Sequence, residues 1–380
     1  VRFAKYGVGG MFFLLPLFFL LPPLANSFEA QIQGAKLMLV FGLGNLFFAV
    51  YLGKKIHPSF FLIHAAFTVG ALFTGFGAMQ LYPFVYWSAA AGLTLLFLTL
   101  EEETQVLLLR CVVWGGVASS MLAFLQVLDL DPILTYAPGI SDADRVLPVG
   151  LMGQTTKFGA LLAILIGVAF GLKDYSAALL MTVAAVATNS SFTYLAVFGA
   201  LIVNARYLLG RFVTVAICIS FFFTAAILWA FSPGSALLLD NGRYLVWWTT
   251  LEAWWNGPKL LGFGPGSFAY LYAENFQPKS LVYGSFLQAH NDYIQALFEF
   301  GLMGAAVMAA LLFFIGRHFC LYWWGSRYQE KAPLVIAAEG GLIAIVLNGM
   351  GNFPFQLAPH FLLATICFAI IVTYQPRKDW

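Results

Sequence analysis

The chain has 380 residues, 61% of them apolar and 9% charged, with a formal net charge of +2. An average soluble domain is about one-quarter charged, so water is excluded as the solvent for most of this surface. The near-neutral net charge carries no information until the charges are placed along the chain.

A membrane-spanning helix needs about 20 mostly apolar residues. Arg2 and Lys5 precede a long apolar run, and many similar runs follow, so the first reads as a transmembrane helix rather than a cleaved leader. Spans are expected near 7–25, 32–52, 59–79, 82–100, 106–128, 155–172, 174–188, 192–209, 213–231, 298–316, 332–349 and 354–374. The expected fold is therefore an all-α polytopic membrane protein of about 12 transmembrane helices, a single domain over 1–380.

Charge placement supports this count. With the N-terminus cytoplasmic, Arg2, Lys5, Lys54, Lys55, Lys173, Arg206, Arg211, Arg317, Arg327, Lys331, Arg377 and Lys378 fall inside, and Arg110 at an inner helix end. Lys36, Arg145, Lys157, Arg243, Lys259 and Lys279 fall outside. The bias agrees with the positive-inside rule and would collapse if one span were miscounted. Both termini are then cytoplasmic, and two long loops, 129–154 and 232–297, face outward.

In the first loop Arg145 precedes VLPVGLMGQTTKFGALLA, and Lys157 lies at the outer end of the next span. The second loop holds a helix signal between Asp240 or Asn241, as cap, and the stop Asn256-Gly257-Pro258. On it Arg243, Trp247, Thr250 and Trp254 recur at helical spacing on one face. Such a helix suits the outer membrane interface, with tryptophans at headgroup level. Its arginine either contacts lipid phosphate or serves a site. Gly262 to Phe268 (GFGPGSF) reads as a tight turn; without a following Lys-Ser or Lys-Thr it is no nucleotide loop.

His290 stands just before an apolar helix expected to start around Tyr293, where an imidazole can exchange a proton near neutral pH. His290-Asn291-Asp292 lacks the second histidine of a zinc helix, and no metal is expected. Glu299 near the start of a span must be paired or hydrated, as a functional group or as a pin for the loop. Cys111, Cys218, Cys320 and Cys367 stand alone in apolar segments and read as packing residues. The outer cations Arg145, Lys157, Arg243, Lys259 and Lys279 would suit a doubly charged phosphate group at the membrane surface if they share a pocket; the alternative is scattered lipid contacts.

Arg243-x-x-x-Trp247, the run Pro258 to Phe268, His290-Asn291-x-Tyr293 and the Glu299 to Gly304 segment resemble, in order and spacing, the O-antigen ligase and polymerase superfamily. Phe353 to Pro359 is similar to a segment seen in that group, and Gly150–Ala160 to its glycine/asparagine-rich helix start. The resemblance runs from about Arg145 to the C-terminus. The chain departs from the family at Gln154-Thr155-Thr156-Lys157, where asparagines are common, and at Ser191-Phe192, where a Ser-Arg pair is common. Lys157 is the candidate replacement for that missing charge.

The resemblance implies a multi-spanning, metal-independent glycosyltransferase of the bacterial inner membrane, without cofactor and without nucleic acid. Its donor would be an undecaprenyl-diphosphate-linked glycan, and its acceptor lipid A core, a further repeat unit or a protein hydroxyl. His290 is the expected catalytic base and Arg145, Arg243 and Lys157 the expected diphosphate contacts. Glu299, Asn291, Tyr293 and Trp247 would support them. Two other classes share the layout: a transporter and a non-catalytic envelope scaffold. Transporters tend to place ionisable groups at the bilayer midplane, whereas here polar residues gather in the outer loops.

Overall fold

The computed structural model describes residues 100–130, 154–206, 242–278, 286–324 and 333–373, with isolated positions between 90 and 98, 148 and 152, and 210 and 219. The expected spans at 7–25, 32–52, 59–79 and 213–231, most of 82–100, the Asp240/Asn241 cap and Arg145 lie outside the described residues. Every described element is helical, and none is a strand.

The helices are α1 (Glu102–Val127), α2 (Thr155–Gly171), α3 (Tyr175–Ala187), α4 (Ser191–Arg206), α5 (Arg243–Asn256), α6 (Asp292–Trp324), α7 (Pro333–Asn348) and α8 (Ala358–Thr373). A helix coincides with each expected span that falls among the described residues. α1 and Asp292–Phe319 of α6 are long and apolar enough to cross a membrane; α2, α3, α4, α7 and α8 are shorter apolar helices.

α2 is the centre of the bundle because it is apolar on every side: from Phe158 to Ala169 its side chains are buried. Its Gly167 and Gly171 stand four apart and bring its backbone onto α7. A Cβ at Gly167 would meet the Gly340 carbonyl carbon at 2.4 Å, and one at Gly171 the Ala337 nitrogen at 2.3 Å. Small residues at that spacing are the usual means of close helix approach where apolar solvent supplies no drive. α2 ends at Lys173, in the left-handed region (φ 65°), where the Asp174 amide bonds back to the Ala169 carbonyl. Asn189 (φ 50°) divides α3 from α4 in the same way.

Large apolar side chains also lie on the outside of the described helices. Leu107, Trp114 and Met121 form a stripe along α1, and Leu179, Val183 and Val186 another on α3, all largely exposed. Such surface is stable against lipid and not against water. Within the bundle His318 of α6 meets Glu339 of α7 at 2.6 Å.

α6 is longer than the span expected at 298–316. It starts at Asp292, one residue before the helix start expected around Tyr293, because the Asn291 side-chain oxygen accepts from the Tyr293 and Ile294 amides and so caps it. The helix then breaks at Gly301 (φ 59°, ψ −152°). There Lys259–Gly264 inserts into its hydrogen-bond ladder. Leu302 and Met303 amides turn to the carbonyls of Lys259 and Leu260, while Phe263 and Gly264 amides donate to those of Phe298 and Glu299. The kink therefore has a stated cause, a turn segment replacing one helical turn's bonds.

Candidate functional site

The described residues between α4 and α6, with the start of α6, carry their own small core. Phe298 of α6 stacks on Phe263 at 4.5 Å and meets Phe268, Tyr272 and Phe276 edge-on at 5.4, 6.4 and 6.1 Å. Val246 and Ala253 of α5 close this cluster. Together these contacts seat α5 across the start of α6.

The expected interfacial face of α5 is the one turned inward. Thr250 is fully buried, the Arg243 guanidinium donates to the Gly351 carbonyl at 3.0 Å, and the Trp247 indole donates to the Ala289 carbonyl at 2.8 Å. Trp254 bonds the Lys259 carbonyl at 3.2 Å. Sequence spacing identifies a face but not its direction, and here backbone carbonyls of the protein accept from these donors.

GFGPGSF is a turn filled by one of the protein's own carboxyl groups. The Glu299 carboxylate accepts from the Gly266 amide at 3.0 Å and the Phe268 amide at 3.4 Å, and from the Gln295 side chain at 3.0 Å. Gln295 also receives the Ala289 amide at 3.0 Å. Glu299 thus ties the glycine turn to the segment that presents His290.

That segment is held against the turn between α7 and α8, residues 349–356. The Asn291 amide group donates to the Met350 carbonyl (2.9 Å) and the Tyr293 hydroxyl to the Val346 carbonyl (2.7 Å). Asp292 binds the same turn twice: its backbone amide donates to the Gly349 carbonyl, and its carboxylate accepts from the Phe355 amide, both at 2.9 Å. Asp292 has a structural position that the sequence pattern did not single out, because its partners lie about sixty residues away and are backbone atoms. Asp292→Ala is expected to cost about 1–3 kcal/mol by leaving a buried amide unmet. A thermal melt that matched wild type would contradict this; Asp292→Asn, which keeps a carbonyl acceptor, should fall closer to wild type.

His290 adopts φ 53°, in the left-handed region that histidine occupies uncommonly. Its ring stands edge-on to Phe353 at 4.9 Å and to Phe286 at 5.9 Å, and its Nδ1 has no hydrogen-bond partner among the described residues. Lys157, buried at the start of α2, lays its ammonium over the other contact of that turn, the Phe353 ring, at 5.7 Å. No described carboxylate lies within ion-pair distance of Lys157. The buried His360 ring nitrogen Nε2 meets the Lys157 carbonyl at 3.0 Å. Burial pushes the His290 imidazole down, and the charges of Arg243 and Lys157 push it further, to about 3. The histidine is therefore neutral at physiological pH, between two cations.

The structure thus gathers Arg243, His290 and Lys157 around residues 349–356, with Asn291, Tyr293, Trp247 and Glu299 acting through backbone and side-chain bonds. Phe353 and Asp292 are the additions. Phe353 lies in the FPFQLAP run, whose family likeness was the available signal. Among the described residues no group of acidic, histidine and cysteine side chains could hold a metal.

A family model described as O-antigen ligase matches residues 176–309, from the start of α3 to just past the kink in α6. The match contains Arg243, Trp247, the glycine turn, His290 and Glu299, and leaves Lys157 and residues 349–356 outside it. No curated protein matches the chain.

Proposed function

We propose that the chain, whose residues 176–309 match a family model described as O-antigen ligase, is a glycosyltransferase of the O-antigen ligase/polymerase superfamily and transfers a glycan from an undecaprenyl diphosphate carrier to an acceptor hydroxyl. The proposed place is the periplasmic face of the bacterial inner membrane, with both termini cytoplasmic. The reading closest to the family description takes lipid A core as acceptor. The observation that carries the proposal is the convergence of Arg243 and Lys157 on a neutral His290.

In the proposed reaction the acceptor oxygen attacks the anomeric carbon, and the bond from that carbon to the diphosphate oxygen breaks. The diphosphate leaves with the electron pair, and the hydroxyl proton passes to the imidazole. Arg243 binds the leaving group through its fork of donors, and Lys157 adds a point charge. Arg145, from the preceding loop, is assigned a second guanidinium on the same group. Lys157 replaces the family's basic residue at position 192. Support comes from Phe192, whose ring abuts Gly351 so closely that a Cβ there would collide with it. Gly351 belongs to the turn that carries Phe353, so both positions border one site.

A histidine held near 3 is a weak base in the empty site, and the same geometry supplies the remedy. A diphosphate neutralises the two cations that help depress the imidazole, so donor binding raises its proton affinity. The expected pH dependence follows. For kcat/KM, which reports the free enzyme, no acid limb should appear near the ordinary histidine value of 6.5. For kcat, which reports the donor complex, the limb should move to higher pH than in kcat/KM. Coincident limbs near 6.5 in both profiles would contradict the proposed electrostatics.

Arg243→Lys keeps the charge and loses the bidentate geometry. It is expected to lower transfer by about tenfold or more, the loss of roughly one charge-assisted bond; wild-type kinetics would remove the clamp from the proposal. The defining experiment incubates purified protein with lipid-linked glycan and three separate acceptors: lipid A core, a second lipid-linked unit and a peptide bearing serine. The labelled product identifies ligase, polymerase or protein glycosylation. No product with any acceptor, in protein shown to be folded, would overturn the proposed function.

A further inference from the structure

With Arg243, Trp247 and Thr250 turned inward, α5 presents a different row outward. Tyr244, Trp248 and Trp255 share its outer face, and Trp248 and Trp255 are 68% and 63% exposed. Glu252 and Asn256 lie on the shoulder of that face, exposed on one side of the row. Leu260 and Leu261 extend the row from the end of α5 at 60% and 54% exposure. Lys259 lies over the Trp255 ring at 4.6 Å, a cation at the border of the apolar strip.

The strip does not end with the loop. Because Leu302 and Met303 amides bond the Lys259 and Leu260 carbonyls, the two leucines of the loop sit beside Leu302 and Met303 of α6. Those residues begin the exposed apolar side of the spanning segment Asp292–Phe319, which continues through Val307. A surface that is lipid-facing along α6 thus passes without a polar break onto the loop.

We infer that the Trp248–Trp255–Leu261 strip of α5 and its following segment is immersed in the outer leaflet of the bilayer, with a lipid surface as its partner. Aromatic residues beside leucines, bordered by a lysine and with acid and amide on the far shoulder, match the polarity gradient from acyl chain to headgroup to water. α5 then lies between lipid and the site. Its outer face rests in the leaflet while its inner face holds Arg243 and the backbone of His290, so the site is kept at the depth of lipid phosphates.

The test places a photoreactive benzophenone amino acid at Leu261, and separately at Asn275, exposed elsewhere on the loop. Full-length protein is irradiated in nanodiscs of phosphatidylethanolamine and phosphatidylglycerol and adducts are weighed by mass spectrometry. Lipid adducts should form several-fold more at 261 than at 275. Equal yields would place the strip in water, and a protein–protein adduct at 261 would make it an interface with a second copy; either result overturns the inference. No donor, acceptor or turnover enters the measurement, so its failure is distinguishable from failure of the proposed transfer reaction.

Discussion

His290→Asn should abolish most transfer while leaving the fold as stable as wild type. Asparagine is among the few residues that enter the left-handed region at low cost, so the backbone at φ 53° is preserved. What disappears is the imidazole, and with it a proton acceptor of the kind that contributes about 10²–10⁴-fold. His290→Gly extends the test, because a residue free of Cβ strain in this region should melt at or above the wild-type temperature. Activity and melting temperature measured on the same preparations decide the matter. A variant that loses both together would show that His290 serves packing, and one that keeps its rate would remove the base from the mechanism. Strained conformations of this type persist where surrounding structure overdetermines them. Here the surroundings are explicit: Trp247 on the Ala289 carbonyl, Gln295 on the Ala289 amide and Asn291 on the Met350 carbonyl.

The second large effect is expected at the kink. Gly301→Ala requires a conformation open essentially to glycine alone, costing about 1–3 kcal/mol by itself. The new Cβ would also meet the Lys259 carbonyl oxygen at 2.5 Å and the Gly262 amide nitrogen at 2.6 Å. Both obstacles are backbone, so no side chain can swing aside. The loop should detach from α6, with a several-degree loss in melting temperature, faster proteolysis between 257 and 278, and loss of transfer. Gly316→Ala is the matched control. It lies in the same helix with nothing within 4 Å of the added carbon, and should be neutral or slightly stabilising. Equal behaviour of the two variants would contradict the account of the kink.

These two positions illustrate what a linear reading can and cannot reach. All the described helices except α5 coincide with apolar runs, though only α1 and Asp292–Phe319 of α6 are long enough to cross a bilayer, and Asn256-Gly257-Pro258 stops α5 where turn chemistry says it should. Arg243 and His290 could be proposed from the sequence because their residue types and spacing resemble the family pattern. The direction of α5 was not, since one face pattern serves equally for burial and for lipid contact. Nor was the role of residues 349–356. Apart from the Phe353 ring, their contribution is a set of carbonyls and amides, at Gly349, Met350, Gly351 and Phe355, and main-chain atoms have no signature in composition or periodicity. The break at Gly301 was hidden for a related reason: hydropathy continues smoothly through it, and only the insertion of Lys259–Gly264 from far along the chain requires it.

This reliance on main-chain acceptors bears on how such a protein can diverge. Arg243, Trp247, Asn291, Tyr293 and Trp254 are each held by a carbonyl oxygen, at Gly351, Ala289, Met350, Val346 and Lys259. A carbonyl is supplied by any amino acid, so selection on the proposed catalytic frame places little constraint on the residues that build it beyond their backbone path, Gly351 excepted, where the Phe192 ring leaves no room for a Cβ. Lineages can therefore exchange the framing sequence, and adapt the surfaces that meet different acceptors, while the few anchoring side chains stay in register.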